Sequence, residues 1–192
     1  DSTLKLNGMD KSVEEKFARL KEIFLSMGRV VVAYSGGVDS TVLLKAAKES
    51  LGEGHVVAVT ALSPLYPDRE LSGAKRMAQE MGVKHILIES NELEIEGFSK
   101  NPSNRCYFCK LELFNKIRAV AAKHGIDTII DATNADDVHD YRPGRKATRE
   151  LAVLSPFVEA GVTKQEIREL SRKRGLSTWD KSANPCLASR IP

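Results

Sequence analysis

The hexapeptide SGGVDS, residues 35–40, joins two glycines, two hydroxyls and a carboxylate between a β-branched apolar run and a helical pattern. Glycine lets the backbone approach a ligand closely, and the free amides at a helix start favour an anion. A carboxylate beside a phosphate favours a bridging magnesium ion, which would be the task of Asp39. The turn therefore predicts a phosphate site, whose residues are Ser35, Gly36, Gly37, Val38, Asp39 and Ser40.

This turn contains no lysine and is shorter than the G-x-x-x-x-G-K-[ST] loop that serves transfer of a γ-phosphate. It also lacks the G-x-G-x-x-G spacing of dinucleotide-binding loops. A loop that clasps the terminal pyrophosphate leaves the α-phosphorus open to attack. The hexapeptide resembles the PP-loop ATP pyrophosphatases, which adenylate a substrate oxygen, and this resemblance implies adenine contacts at Thr60 and Ala61. A turn in which the glycines only relieve backbone strain is the alternative.

The chain has three cysteines, Cys106, Cys109 and Cys186. An odd number with two members closely spaced argues against a secreted disulfide framework and favours metal binding or redox chemistry in the cytoplasm. Cys106 and Cys109 stand three residues apart at an expected helix start, where both sulfurs can meet one metal. Taken alone, that pair also fits a zinc half-site, a redox pair or coincidence.

Five segments together resemble the LarE family of sulfur transferases, which make the nickel-pincer nucleotide used in lactate racemase maturation. They are SGGVDS, RCYFCK, TNADDVHDYRPGRKA, SPFVEAGVTKQEIREL and CLASRIP. The resemblance implies that ATP adenylates a carboxylate of pyridinium-3,5-biscarboxylic acid mononucleotide, and that sulfur then replaces the activated oxygen. It implies that a small nucleotide carboxylate and a sulfur or sulfide donor are the partners of the protein.

Members of that family differ in their source of sulfur. Those with three cysteines hold a 4Fe–4S cluster, which implies Cys106, Cys109 and Cys186 as its ligands and leaves one iron open to carry an extra sulfide. Other members sacrifice the sulfur of the cysteine in CLASR. That scheme is the alternative for Cys186, although it gives Cys106 and Cys109 no task. A three-cysteine zinc site and unconnected structural thiols are further alternatives.

Arginines near the expected site provide candidate anion-binding groups. Arg142 and Arg145 follow the last clear strand, and a guanidinium binds a carboxylate or phosphate in bidentate fashion. The family resemblance implies that Ser189 and Arg190 contact the substrate, and that Arg190 acts in catalysis with Asp39 and Cys186. A solvated charged loop accounts equally well for any single residue of 134–145.

Alternating elements must position these groups. Nearly continuous apolar runs predict buried parallel strands at Val30–Tyr34, Val56–Leu62, His85–Ile88 and Thr128–Ala132. Helical patterns surround them, at Ser12–Met27, Ser40–Leu51, Glu70–Met81, Cys109–His124 and from the capping box at Thr163–Glu166 to Gly175. This order predicts an α/β protein with a doubly wound parallel sheet, with its ligand past the carboxyl ends of the strands. The resemblance implies that the sheet is of the PP-loop ATP pyrophosphatase (adenine nucleotide alpha hydrolase-like) type.

The length of 192 residues and the content of 42% hydrophobic and 29% charged residues suit one globular domain. We expect residues 1–8 to be a tag or disordered leader and residues 9–192 to form the domain, with 181–192 a substrate and cluster loop. The resemblance implies a further C-terminal segment after Pro192, which we expect to be missing here. No signal peptide or membrane span is evident, so we expect a cytoplasmic protein. The family resemblance implies a homo-oligomer.

Two other functions compete with sulfur transfer to a nucleotide carboxylate. An iron–sulfur tRNA thiolase also combines a PP-loop with three cysteines, but it favours a basic face or an RNA module, and a net charge of +3 is mild. We therefore expect no stable nucleic acid binding. A nucleotide-binding regulatory protein explains the glycine turn but leaves the cysteines and CLASRIP unused.

Overall fold

A computed structural model describes residues 2–62, 68–90, 105–138 and 144–181, with side chains described from Ser12 in the first helix and from Cys106 in the fourth. Helices and strands alternate along the chain. They are α1 (Ser2–Met27), β1 (Val30–Ala33), α2 (Val38–Leu51), β2 (Val56–Leu62), α3 (Asp68–Glu80), β3 (Lys84–Glu89), α4 (Arg105–Lys123), β4 (Thr128–Ile130), a 3₁₀ turn (Asp136–Val138), α5 (Gly144–Glu150), α6 (Pro156–Glu159) and α7 (Lys164–Lys173).

The four strands form one parallel sheet in the order β3-β2-β1-β4. Val30 lies between Val56 on one side and Thr128 on the other, so β1 is central. The chain moves outward from β1 to β3 and then returns to the opposite side of β1. The order of the strands therefore reverses between β1 and β4, where open α/β sheets place their ligand. The prediction of a doubly wound parallel sheet is confirmed.

Two apolar cores cover the two faces of the sheet. Val30 and Val32 join the core beneath α1, α2, α3 and α7, whereas Val31 joins the core beneath α4. Side chains alternate between faces along a strand, so a run of valines fills both cores at once. Each such side chain contributes about 1.5–3 kcal/mol by burial. The ends of the strands are thereby held rigidly enough to position a site.

The boundaries of some elements differ from the expected ones. Helix α1 begins at Ser2 rather than Ser12, because the residues before Met9 continue the helix in spite of Gly8. Helices α5 and α6 were not predicted, since seven and four residues are too few for a clear helical period. Among the described residues, no helix combines the length and apolar character needed to cross a membrane.

Candidate functional site

The glycine turn lies between β1 and α2, at the point where the strand order reverses. Gly36 has a φ angle of +69°, a left-handed conformation that favours glycine. Gly37 is the N-cap of α2, and no side chain caps this helix start. The first amides of α2 are therefore directed out of the turn, as anion binding requires.

The two serines of the turn form a compact hydroxyl pair. Ser35 Oγ and Ser40 Oγ are 3.0 Å apart, and the amide of Gly37 donates to Ser35 Oγ at 3.4 Å. Ser40 Oγ lies 3.2 Å from the carbonyl oxygen of Gly37. The hydroxyls thus line the turn, and hydroxyl rotation lets them donate to an incoming oxyanion.

Helix α3 packs directly against this turn. A Cβ atom added at Gly36 would lie 2.7 Å from the Cβ of Ala74, which is buried. Glu70 and Ala74 are four residues apart, so they lie on the same face of α3. The close approach of the helix therefore places a carboxylate at the edge of the turn, which no local sequence pattern indicated.

Two lysines reach the turn from distant parts of the chain. The ammonium of Lys164 pairs with a carboxylate oxygen of Asp39. The ammonium of Lys181 pairs with the carboxylate of Glu70 and donates to the carbonyl oxygen of Gly36 at 3.2 Å. A turn that contains no lysine of its own therefore lies beside two ammonium groups supplied by the tertiary structure.

Helix α7 holds Lys164 at its first position. Thr163 and Glu166 form the predicted capping box, in which Thr163 Oγ1 accepts from the Glu166 amide at 3.3 Å and Glu166 accepts from the Thr163 amide at 2.8 Å. Lys16 of α1 also donates to Glu166, at 2.8 Å. Burial alone would raise the pKa of Glu166, but the hydrogen bonds from Lys16 and Thr163 outweigh it and lower the pKa. The start of α7 is therefore firmly fixed.

The segment after β4 connects the turn to α7. Asn134 is buried; its side-chain amide lies 3.5 Å from Asp39, and its carbonyl oxygen accepts from the amide of Asp136 at 3.0 Å. Asp136 accepts from the amide of Lys164 at 2.8 Å, and Asp137 accepts from the amide of Asn134 at 3.1 Å. These polar residues shape the loop around Asp39.

Asp131, directly after β4, is a buried carboxylate that the sequence reasoning did not single out. It accepts hydrogen bonds from Thr133 Oγ1 at 2.8 Å and from Ser155 Oγ at 2.7 Å. Lys110 of α4 lies 3.9 Å from it. Its position directly after a buried strand at the switch point is the sequence feature that could have indicated it. This contact connects the start of α4 to the segment that also reaches Asp39.

The cysteine pair lies at the start of α4, as predicted. Cys106 is exposed and Cys109 is partly buried, and neither forms a disulfide with another described residue. A Cβ atom added at Gly144 would lie 3.2 Å from the Cys106 carbonyl oxygen, so the start of α5 packs closely on this turn of α4. Across the described ranges, no three His, Cys, Asp or Glu side chains come together as a metal site. The pair supplies two thiols, and the third predicted ligand, Cys186, lies outside the described residues.

The end of β2 lies beside the glycine turn. Thr60 is buried, and its hydroxyl donates to the Tyr34 carbonyl at 2.5 Å and lies 2.8 Å from His85 Nε2. The Tyr34 amide donates to Val59 and the Ser90 amide to Leu62, so alternation turns the peptide group of Ala61 toward the space beyond β1. This orientation suits the backbone recognition of adenine expected at Ala61, whereas the same alternation turns the backbone groups of Thr60 toward β3.

The remaining predicted site residues have a mixed outcome. The Arg145 guanidinium donates to the Val138 carbonyl at 2.7 Å, which fixes the loop around the 3₁₀ turn. Arg142, Ser189 and Arg190 lie outside the described residues. Their expected contacts with substrate stay predictions.

The parallel sheet and the glycine turn at its switch point define a PP-loop nucleotide-binding protein. A family model described as NAD synthase matches residues 13–122. The chain therefore belongs to the NAD synthase family of PP-loop, ATP-dependent enzymes.

Two curated relatives cover nearly the whole chain. Uncharacterized protein slr1717 of Synechocystis is 43% identical over 94% of this chain and 67% of its own length. The pyridinium-3,5-bisthiocarboxylic acid mononucleotide synthase of Lactiplantibacillus plantarum is 34% identical over 92% of this chain. That synthase is a LarE protein, so the resemblance based on the sequence motifs is confirmed. The chain spans 64% of the length of the synthase.

Solved structures confirm the fold. The NH3-dependent NAD synthetase of Campylobacter jejuni superposes with a TM-score of 0.69 at 17% identity, covering 92% of this chain and 78% of that one. The NMN synthetase of Francisella tularensis gives a TM-score of 0.69 at 15% identity, covering 91% and 75% of the two chains. Both likenesses concern the arrangement of the sheet and helices.

Proposed function

We propose that this protein is an ATP-dependent sulfur transferase that converts a carboxylate of pyridinium-3,5-biscarboxylic acid mononucleotide into a thiocarboxylate. The observation that carries the proposal is the 34% identity, over 92% of the chain, to a synthase of the corresponding bisthiocarboxylic acid. The geometry of the glycine turn supports the ATP-dependent half of the reaction, because it combines open helix amides, two hydroxyls and a carboxylate at the switch point.

In the first step, the glycine turn binds the terminal pyrophosphate of ATP. A carboxylate oxygen of the substrate attacks the α-phosphorus, a new O–P bond forms, and the bond to pyrophosphate breaks. The turn amides and the hydroxyls of Ser35 and Ser40 stabilise the negative charge on the departing pyrophosphate. Most of the rate gain then comes from positioning and charge neutralisation, with no covalent role for the protein in this step.

Asp39 is the residue that would hold Mg²⁺. A hard cation prefers carboxylate oxygens, and Mg²⁺ commonly uses one or two carboxylates together with substrate phosphates. The Asp39 side chain is 22% exposed and is oriented by Asn134, so it fits this task. When bound, the ion would neutralise phosphate charge. Lys164, which pairs with Asp39 here, is close enough to do the same for a phosphate oxygen.

In the second step, a sulfur nucleophile attacks the acyl carbon and AMP departs, which leaves a thiocarboxylate. We propose that Cys106, Cys109 and Cys186 hold a 4Fe–4S cluster that would supply this sulfur. The placement of Cys106 and Cys109 one turn apart at the start of α4 fits two of the ligands, since thiols so spaced lie on one face of a helix. The alternative donor is the sulfur of Cys186 itself.

We assign the substrate anion to Arg142, Arg145, Ser189 and Arg190, of which Arg190 would also assist catalysis beside Cys186. We also propose a cytoplasmic homo-oligomer that receives its sulfur from a separate donor. Ser189 and Arg190 are assigned from the LarE resemblance, whereas Arg142 and Arg145 are assigned because a guanidinium after the last strand can bind a carboxylate or phosphate.

The adenylation half is tested by incubating the full-length protein with ATP and the pyridinium biscarboxylate nucleotide. We expect AMP and pyrophosphate to form, and Asp39→Asn to slow their formation by about 10²-fold or more through loss of the metal-binding carboxylate. Asp127→Asn is a matched control, because Asp127 is exposed at the opposite end of β4 and its loss should leave the rate unchanged. AMP formation that requires tRNA in place of the nucleotide would refute the proposed substrate.

The sulfur source is tested on anaerobically purified protein by iron analysis and mass spectrometry. We expect a brown protein with about four irons per chain, as a 4Fe–4S cluster requires. Separate Cys106→Ser and Cys109→Ser variants should lose most of that iron. A colourless protein after reconstitution, together with loss of one sulfur from Cys186 on turnover, would replace the cluster with the sacrificial scheme.

A further inference from the structure

The ammonium of Lys181 lies at the glycine turn although the residue is 145 positions away from Gly36 in the chain. It donates to the Gly36 carbonyl at 3.2 Å and pairs with Glu70 of α3. The side chains of Lys181 and Glu70 are 26% and 20% exposed, so the pair is largely withdrawn from solvent. The Lys181 ammonium therefore lies at the residue that precedes Gly37, whose amide belongs to the expected phosphate site.

The backbone that carries Lys181 is fixed by helix α7. Arg168 donates to the Trp179 carbonyl at 3.1 Å and to the Lys181 carbonyl at 3.3 Å. Helix α3 is fixed from the other side, because Ala74 packs against Gly36 and holds Glu70 on the same face. Both members of the ion pair are therefore set in position relative to the turn by contacts other than the pair itself.

We propose that Lys181 is a pyrophosphate ligand, supplied by the tertiary structure to a turn that has no lysine of its own. Glu70 keeps the ammonium in place until the β- and γ-phosphates of ATP arrive, and the phosphate oxygens then accept its hydrogen bonds. This inference rests on the proposed function, because it requires the turn to bind the terminal pyrophosphate of ATP.

The alternative is an ion pair that only fastens the segment after α7 to α3. The two roles make opposite predictions for Glu70. If the ion pair only holds the two segments together, removing the charge of either Glu70 or Lys181 should weaken ATP binding equally. If Lys181 binds phosphate, removing the Glu70 charge makes the ammonium available and removes a repulsive carboxylate. Removing Lys181 instead takes a positive charge away and keeps the negative charge of Glu70 beside the phosphates.

The test measures dissociation constants of ATP, pyrophosphate and AMP by calorimetry on the full-length protein. We expect Lys181→Met to weaken ATP and pyrophosphate about 10- to 100-fold, as loss of a charge-assisted hydrogen bond does, and to leave AMP within about twofold. Glu70→Gln should leave ATP and pyrophosphate as tight or tighter, and adding it to Lys181→Met should recover part of the loss. Lys181→Arg should keep most of the affinity.

Lys45→Met is the matched control, because Lys45 also pairs with a glutamate, at 3.5 Å to Glu49, and its removal changes the net charge equally. We expect all three ligands to bind this variant as they bind the wild type. Equal weakening of ATP by Glu70→Gln and Lys181→Met, or of AMP by Lys181→Met, would overturn the proposal. A wild-type protein that binds neither ATP nor pyrophosphate would overturn the proposed function as well, whereas tight binding unaffected by Lys181→Met would overturn the role of Lys181 alone.

Discussion

Replacement of Gly36 by alanine tests whether the turn is shaped by its contact with α3. The φ angle of +69° costs an L-residue about 1–2 kcal/mol. The new Cβ would also lie 2.7 Å from the Ala74 Cβ, and such overpacking costs a further ~1–3 kcal/mol. We therefore expect Gly36→Ala to lower the free energy of unfolding by about 2–5 kcal/mol, measured by urea denaturation followed by circular dichroism.

Gly28→Ala separates the two contributions. Gly28 has a φ of +71°, but a Cβ there would meet nothing within 4 Å. It therefore carries only the backbone cost of about 1–2 kcal/mol. Any gain from a stiffer unfolded chain is common to both variants and cancels in the comparison. The difference between the two free energies of unfolding is the cost of the contact with α3.

A second variant tests that contact directly. Ala74→Gly removes the opposing methyl group, so the loss caused by Gly36→Ala should be smaller by about 1–3 kcal/mol in that background than in the wild type. ATP affinity should follow the same order, because a displaced turn misaligns the Gly37 amide and the Ser35 hydroxyl. Equal costs at Gly28 and Gly36, or no recovery with Ala74→Gly, would show that α3 does not constrain the turn.

Two further predictions concern stability. Glu166→Ala should lower the free energy of unfolding by about 1–2 kcal/mol, since it removes half of the capping box and the partner of Lys16. The control Glu169→Ala, on the same helix, should lower it by less than about 0.5 kcal/mol. Equal losses for the two variants in urea denaturation would contradict this prediction. Burial, helped by the charge of Lys75, lowers the pKa of His85 below its usual 6.5, so folding disfavours its protonated form. Stability should therefore fall as the pH drops below about 6.5, and His85→Gln should lack that component. The assignment would be refuted if the free energies of unfolding of the wild type and the variant changed with pH in the same way between pH 5 and 8.

The architecture could be predicted because its signals are local. The valine runs of β1 and β2 are buried on both faces, so a continuous apolar pattern marks them directly, and the expected Val56–Leu62 is the observed strand. The capping box at Thr163 and Glu166 was likewise readable, since both partners lie within one helical turn. Short helices such as α6 escaped prediction because four residues hold no period.

The chain's sequence by itself determined the parallel α/β fold, the glycine turn and the cysteine pair at a helix start, because each depends on residues that are neighbours in the chain. Only the tertiary structure decided which charges surround that turn. Glu70 lies on α3, Lys164 begins α7 and Lys181 follows α7, and no local pattern relates them to residues 35–40. Side chains distant in sequence become neighbours only when the strand order and helix packing are fixed, and electrostatic interactions depend on that final distance.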